Sequence, residues 1–182
     1  MSRRSLILLG ALLLVAPGLT KADWNSLTPL SGASIRPDAV ATAGTGTLKL
    51  TYDSLQNALT LELSSQSLSS DILLATINAV APGGNQRFDN GPVVINIAAA
   101  SGEIPPILGS AASFTFPTVT VNPSASVLQA LQEQRAYVII GTQGNPNGEI
   151  RGNIIPEPSS MALTGLGIVA MGWYLRARRR VS

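Results

Sequence analysis

Any chemistry in this chain has to be done without histidine or cysteine, because neither occurs among its 182 residues. A Ser-His-Asp or Cys-His nucleophile cannot be assembled, and the usual zinc and copper ligand sets are missing. Carboxylates remain, with Asp53, Asp71, Asp89, Glu103, Glu133 and Glu149 as the main candidates. Two of them could serve a glycosidase, which sets a pair of acids a defined distance apart across a cleft and usually stacks the sugar on aromatic rings. Aromatic residues make up only 4% of the chain. A carboxylate enzyme acting on envelope polysaccharide is therefore a rival reading, and no catalytic residue, cofactor or metal ligand is assigned.

Three other groups of residues invite a functional story. Glu149 and Arg151 are two apart, so on a strand they share a face, and an exposed or half-buried ion pair beside a turn is expected. Asn85, Asp89 and Asn90 carry oxygen ligands of the type calcium uses, but their spacing matches no calcium loop and a polar, glycine-rich turn is the expectation. The apolar, proline-rich loop Glu103–Gly109 can present a partner surface or cover the edge of a sheet, the commoner fate of such loops.

The elements that must position these residues read as strands. Thr45 to Tyr52 alternates with Leu48, Leu50 and Tyr52 on one face, and Ala58 to Leu63 repeats this with Leu59, Leu61 and Leu63. Asp53-Ser54-Leu55-Gln56-Asn57 supplies the turn of a hairpin. Further strands are expected over Ile72 to Asn78, Pro92 to Ile97, Ser113 to Val121, Ala136 to Thr142 and Gly148 to Ile155. The last two are joined by Gln143-Gly144-Asn145-Pro146-Asn147-Gly148, in which proline presets a turn and Asn-Gly tolerates left-handed backbone. One helix is expected from Ser124 to Gln134, capped by Ser124 or Ser126, with Val127, Leu128 and Leu131 on one face. The fold class is all-β, an antiparallel β-sandwich of Greek-key or immunoglobulin-like type with one short helix.

The two ends have a different character. Arg3 and Arg4 precede the apolar run from Leu6 to Ala16, then Pro17-Gly18, with a small residue at Ala22. These are the parts of a secretory signal peptide, 1–22, cut by signal peptidase after Ala22. At the other end Pro156-Glu157-Pro158 precedes an apolar stretch, 161–175, bounded by Trp173 and Tyr174 and followed by Arg176, Arg178, Arg179 and Arg180. A membrane helix with an aromatic boundary and a cytoplasmic basic cluster is expected there. The domains are then the signal peptide 1–22, a folded body 23–155 and a tail 156–182.

Most of the positive charge belongs to these ends. Residues 23 to 156 keep five basic and nine acidic residues, a charge of about −4. No basic face is available for phosphate, so nucleic acid is not an expected partner. Without cysteine the body cannot be held by disulfides, and its size suits one core and one domain.

Pro156-Glu157-Pro158, the short glycine-bearing apolar helix and the closing arginines resemble, in that order, the PEP-CTERM sorting signal. The resemblance implies recognition by an exosortase, a membrane protease or transpeptidase that cuts near the motif in hosts that typically make exopolysaccharide. Within the body, Gly44-Thr45-Gly46-Thr47-Leu48, Asn90-Gly91-Pro92-Val93-Val94-Ile95, and above all Arg135 to Thr142 running into Asn145-Pro146-Asn147-Gly148-Glu149-Ile150-Arg151-Gly152, resemble a chordin-type (CHRD) domain over about Ala39 to Ile154. That family is implied to be extracellular and all-β. It usually carries a His-x-His pair and a further histidine, where this chain has Thr76, Asn78 and Gly141, so no role of those histidines carries over.

The expected function is that of a non-enzymatic, exosortase-processed protein, anchored in the inner membrane as a precursor and located at the cell surface or outside. Its role would be structural or adhesive, with exopolysaccharide or other matrix components as partners. Besides the polysaccharide enzyme, a second rival is a binding module for a secreted protein, by analogy of fold alone.

Overall fold

The computed structural model describes residues 23–158. The expected signal peptide with Ala22, and the stretch 161–175 with Trp173, Tyr174, Arg176, Arg178, Arg179 and Arg180, lie outside the described residues. Among the described residues no helix is long and apolar enough to cross a membrane.

The strands are β1 (Trp24–Ser31), β2 (Thr45–Asp53), β3 (Ala58–Gln66), β4 (Ile72–Ala79), β5 (Val93–Asn96), β6 (Ser113–Thr115), β7 (Val119–Val121), β8 (Ala136–Thr142), β9 (Ile150–Asn153) and β10 (Glu157–Pro158). A 3-10 turn (Gly32–Ser34) follows β1, and two short helices, α1 (Ile97–Ala100) and α2 (Ala125–Gln132), complete the fold.

The all-β, antiparallel class is as expected, but the two sheets of a sandwich are not formed. The strands make one continuous antiparallel sheet, ordered β5-β4-β8-β9-β1-β2-β3-β6, curled into a half-barrel. The reason is β1, a strand that the hydrophobic pattern does not announce. It pairs along its whole length with β2, from Trp24 opposite Tyr52 to Ser31 opposite Thr45. On its other side it meets β9, with Ser31 opposite Arg151, and β10, with Asn25 opposite Glu157 and Trp24 opposite Pro158. A single ladder therefore links the β4-β8-β9 half to the β2-β3 half.

The concave face holds the core. Leu48, Leu50, Tyr52, Leu59, Leu61 and Leu63 of the first hairpin are all buried, as their period-two spacing requires. They meet Ile72, Ala75, Ile77, Val138, Ile140 and Ile150 from the other half, with Ile97, Leu128 and Leu131 closing one side. Each buried leucine, isoleucine or valine among them contributes about 1.5–3 kcal/mol on burial, which is how a chain without disulfides holds together. Trp24 stacks on Tyr52 with ring centroids 5.7 Å apart.

Local chemistry sets the ends of several elements. Asp53 Oδ1 accepts from the amides of Leu55 (2.8 Å) and Gln56 (3.1 Å), which closes the β2-β3 turn. Ser124 Oγ accepts from Val127 N and caps α2, one of the two caps expected. Asn96 Oδ1 accepts from Ala99 N at 3.0 Å and starts α1, so β5 stops short of Ile97 and the fold has a second helix. The strand expected from Ser113 to Val121 is divided. β6 pairs with the end of β3 and β7 with its start, and Pro117 between them has no amide to donate.

Close approach of backbones fixes one glycine. A β-carbon on Gly152 of β9 would lie 2.5 Å from the carbonyl oxygen of Pro29 and 2.6 Å from Thr28 Cγ2, both in β1. Gly152→Ala is expected to destabilise the domain by about 1–3 kcal/mol through this overpacking, measured as a lower urea midpoint with an unchanged slope.

Candidate functional site

The β8-β9 hairpin carries the two charged residues of the motif that the sequence singles out. Its turn closes through Gly148 N, which donates to Asn145 O at 3.0 Å. Gly148 has φ +132°, and a β-carbon there would meet Ile139 Cδ1 at 2.4 Å, so the position demands glycine. Glu149 N donates to Ile140 O at 2.8 Å and returns the chain to the sheet.

The Glu149 side chain is fully buried. Oε1 accepts from Thr42 Oγ1 (2.5 Å) and Ser69 N (2.8 Å), and Oε2 from Ser69 Oγ (2.6 Å) and Thr142 Oγ1 (2.7 Å). Burial opposes its ionisation, but the donors from Ser69, Thr42 and Thr142 outweigh burial and hold the carboxyl below the usual glutamate range. Three segments far apart in sequence are thus fastened at one carboxylate.

Arg151 is also buried and has no carboxylate in contact. Its Nη1 donates to Asn90 Oδ1 at 2.7 Å, and its Nη2 donates to Asp89 O at 2.9 Å and to Gln86 O. The guanidinium lies 3.5 Å from the centroid of the Tyr137 ring, a cation–π contact in a water-poor setting. Burial lowers its pKa, with Tyr137 and Asp89 opposing and Arg36 reinforcing the shift. Tyr137 also fixes the next residue of the loop, since its hydroxyl accepts from Gly91 N at 3.0 Å.

The ion pair expected between Glu149 and Arg151 is therefore absent, and neither side chain is exposed or half-buried. The physical reason is that each charge is met by neutral groups, hydroxyls and an amide for Glu149, and two carbonyls, the Asn90 side chain and a ring face for Arg151, whose Nε alone has no hydrogen-bond partner. Glu149 also lies just ahead of β9 rather than within it, so two-residue spacing does not impose a shared face. The ion pairs among the described residues are Lys49–Glu62 and Arg135–Glu133.

The Asn85-to-Asn90 segment is the polar turn expected of it. Asp89 Oδ2 accepts from Asn85 N (2.8 Å) and Asn85 Oδ1 from Arg87 N (2.9 Å). Asn90 Oδ1 and the carbonyls of Gln86 and Asp89 meet Arg151, so an internal guanidinium stands where a calcium reading would put a cation. The other carboxylates are dispersed. Asp53 closes a hairpin turn, and Glu133 accepts from Gln129 and Arg135 on the surface. Among the described residues no three acidic side chains converge. The Glu103–Gly109 loop covers an edge, with Ile107 N donating to Ile72 O of β4 at 2.9 Å, while Ile104 and Leu108 stay exposed.

Pro156, Glu157 and Pro158 do not follow the domain as a free linker. Glu157 and Pro158 form β10 against Asn25 and Trp24, so the body extends past residue 155 and overlaps the expected tail. No sequence signal marks this pairing, nor the recruitment of Thr42 and Ser69 by Glu149, because each joins residues far apart in the chain. Tyr137, in the Arg135-to-Thr142 stretch of the family resemblance, is the one local sign of the Arg151 site.

Comparison with known families gives two matches. The CHRD domain model covers residues 27–154, and the PEP-CTERM protein-sorting motif covers residues 155–180. These are the two families that the residues resemble, and the first match extends the CHRD region to include most of β1. No curated protein and no solved structure gives a match.

Glu149→Gln is expected to cost about 2–4 kcal/mol in urea unfolding, since it replaces a charged acceptor of four bonds with a group that must donate among donors. Because the folded carboxyl is depressed, its contribution is fully present above the ordinary glutamate range and disappears as pH falls through the lowered value. A pH series of unfolding midpoints should accordingly slope less on the acid side in Glu149→Gln than in the wild type. Arg151→Met leaves the carbonyls of Gln86 and Asp89 without their donor, and faster amide hydrogen exchange across 85–91 is expected, with Arg151→Lys intermediate because an ammonium cannot fork to both carbonyls.

Proposed function

Because the chain belongs to the CHRD domain family and continues directly into a PEP-CTERM protein-sorting motif, we propose that it is an exported, exosortase-processed protein of the cell surface or extracellular matrix. The contiguity of the two matches, 27–154 and then 155–180, is the observation that carries this reading. The role we propose is structural or adhesive and non-enzymatic, in an exopolysaccharide or biofilm setting.

The chemistry of the domain supports it. The two buried charges are spent on holding loops, and the largest aromatic cluster, Trp24 with Tyr52, is core. Much of what faces solvent on the strands is serine, threonine, asparagine and glutamine, with the Thr60 and Thr120 hydroxyls 3.2 Å apart and Lys49 paired with Glu62 at 3.0 Å, beside the exposed Leu27, Leu73 and Val93. Such a surface is suited to hydrated polysaccharide, to which it can offer many weak hydrogen bonds and little net charge.

The intact mass of the protein from the native host, taken separately from membranes and from culture supernatant, tests the reading. The expected species lies outside the cell, begins at Asp23 and ends near Pro156 to Pro158. Recovery only of a membrane-bound chain still ending at Ser182 would reject the sorting half. Turnover of host matrix glycans by the purified domain, abolished by a single Asp or Glu to Ala change, would reject the non-enzymatic half.

A further inference from the structure

The sorting motif sits in the sheet, in register with the first strand. Ser31 faces Arg151 in β9, and six residues back along β1 Asn25 faces Glu157, six residues further along the other chain. The same antiparallel register therefore holds at Arg151 and at Glu157–Pro158, with the segment between them running alongside β1 outside the ladder. β8 accompanies this segment only as far as Ile154, whose amide donates to Ala136 O at 3.0 Å. Beyond it, the backbone pairing is that of Glu157 and Pro158 with β1.

We propose that β1 is a latch on the sorting motif: Trp24 and Asn25 hold Pro158 and Glu157 as an edge strand, and the exosortase can cut only when this end has peeled away. The inference rests on the sorting reading above and adds the folded domain as the regulator of that cut. A peptide bond whose backbone is paired in a sheet cannot at the same time lie extended in a protease site. The composition of the motif makes the latch a weak one. Pro156 and Pro158 have no N–H, so of the three motif residues Glu157 alone can donate to β1. Prolines of this kind are tolerated at a sheet edge, where the pairing opens readily, and opening here disturbs neither β1-β2 nor β8-β9. The strand that forms the latch begins at Trp24, one residue beyond Asp23, the first residue after the expected signal-peptide cut at Ala22. Capture of the motif thus depends on the same residues that signal peptidase leaves as the new N-terminus.

The absence of cysteine makes a direct test available. Continuing the register sets Leu27 opposite Ile155, both exposed, at 68% and 42%, and both outside the Pro-Glu-Pro triplet. Facing residues of an antiparallel pair have Cα atoms about 4.5–5.5 Å apart, within the span of a disulfide. The full chain bearing Leu27→Cys and Ile155→Cys, with each single variant as control, is expressed in an exosortase-carrying host whose envelope is oxidising, and tail removal is followed by mass. The expected result is a cross-linked double variant that keeps its tail at least ten-fold longer than either single variant, with processing restored by a membrane-permeant thiol reductant. A double variant that cross-links and is cut at the rate of the singles overturns the latch. So does a double variant that folds but forms no cross-link under oxidation, since the register is then not populated. If the wild type and both singles keep their tails as well, the sorting reading has failed, and the controls distinguish that outcome from failure of the latch.

Discussion

The fold depends on β1 being hydrogen-bonded on both sides. Among the described residues it is the only strand hydrogen-bonded to both halves of the sheet, with β2 along one edge and Arg151, Glu157 and Pro158 along the other. Take it away and the ladder separates into a β5-β4-β8-β9 piece and a β2-β3-β6 piece, each with an open edge and half a core. The closure is made between the first and last strands of the domain, so the chain must lose the entropy of a very long loop before the sheet can curl. A secreted domain commonly meets such a demand with a disulfide. This chain has no cysteine, and the tie is made by backbone pairing, by the close approach that Gly152 permits, and by leucines on the concave face.

The second constraint is polar. Glu149 and Arg151 are nearly adjacent in sequence, both buried, and independent of each other. Each is a charge dissolved in protein dipoles: four donors around the carboxylate, three oxygens and an aromatic face around the guanidinium. Burying an unpartnered charge is costly, so the groups around them are fixed as firmly as the charges. This explains the residue types of the Asn-Pro-Asn-Gly-Glu-Ile-Arg-Gly stretch. Asn145 and Gly148 make the turn, Glu149 fastens the loops at 42 and 69, Ile150 enters the core, Arg151 fastens the 86–90 loop and Gly152 admits β1. The stretch on which the resemblance chiefly rests is architecture at every position for which contacts are visible.

Strands with a clean apolar alternation were legible in the sequence. Leu48-Leu50-Tyr52 and Leu59-Leu61-Leu63 predict the central hairpin, and the turn at 143–148 predicts the β8-β9 hairpin. β1 was not legible, and its residues show why. Its inward positions include Ser26 and Thr28, buried and bonded to each other at 3.1 Å, while Leu27 points out and is 68% exposed. The binary pattern is inverted in the middle of the strand, because the polar pair satisfies itself and the pairing, not the side chains, holds the strand in place. Missing β1 meant missing the bridge, and without the bridge the strands sort naturally into the two sheets of a sandwich. The ion pair expected of Glu149 and Arg151 failed for a related reason. Spacing along a strand says which residues can meet, but the partners they choose here come from loops distant in the chain.

β1 also sets what can change at one end of the domain without disturbing the other. Its Trp24 end carries the β10 pairing, and its Ser31 end lies beside Thr45 and Arg151, close to the Glu149 clasp that ties the 42 and 69 loops. Eight residues of strand span about 26 Å, so the sorting motif and the clasp stand at opposite ends of the sheet. Loss of residues 157 and 158 unpairs one side of Trp24 and Asn25 and leaves all eight β1-β2 partners in place. Trp24 remains anchored by its stacking on Tyr52. The closure that holds the sheet in one piece therefore survives removal of the tail, because it is made by the Ser31–Arg151 pairing, the close approach of Gly152 to β1, and β2 rather than by the motif itself.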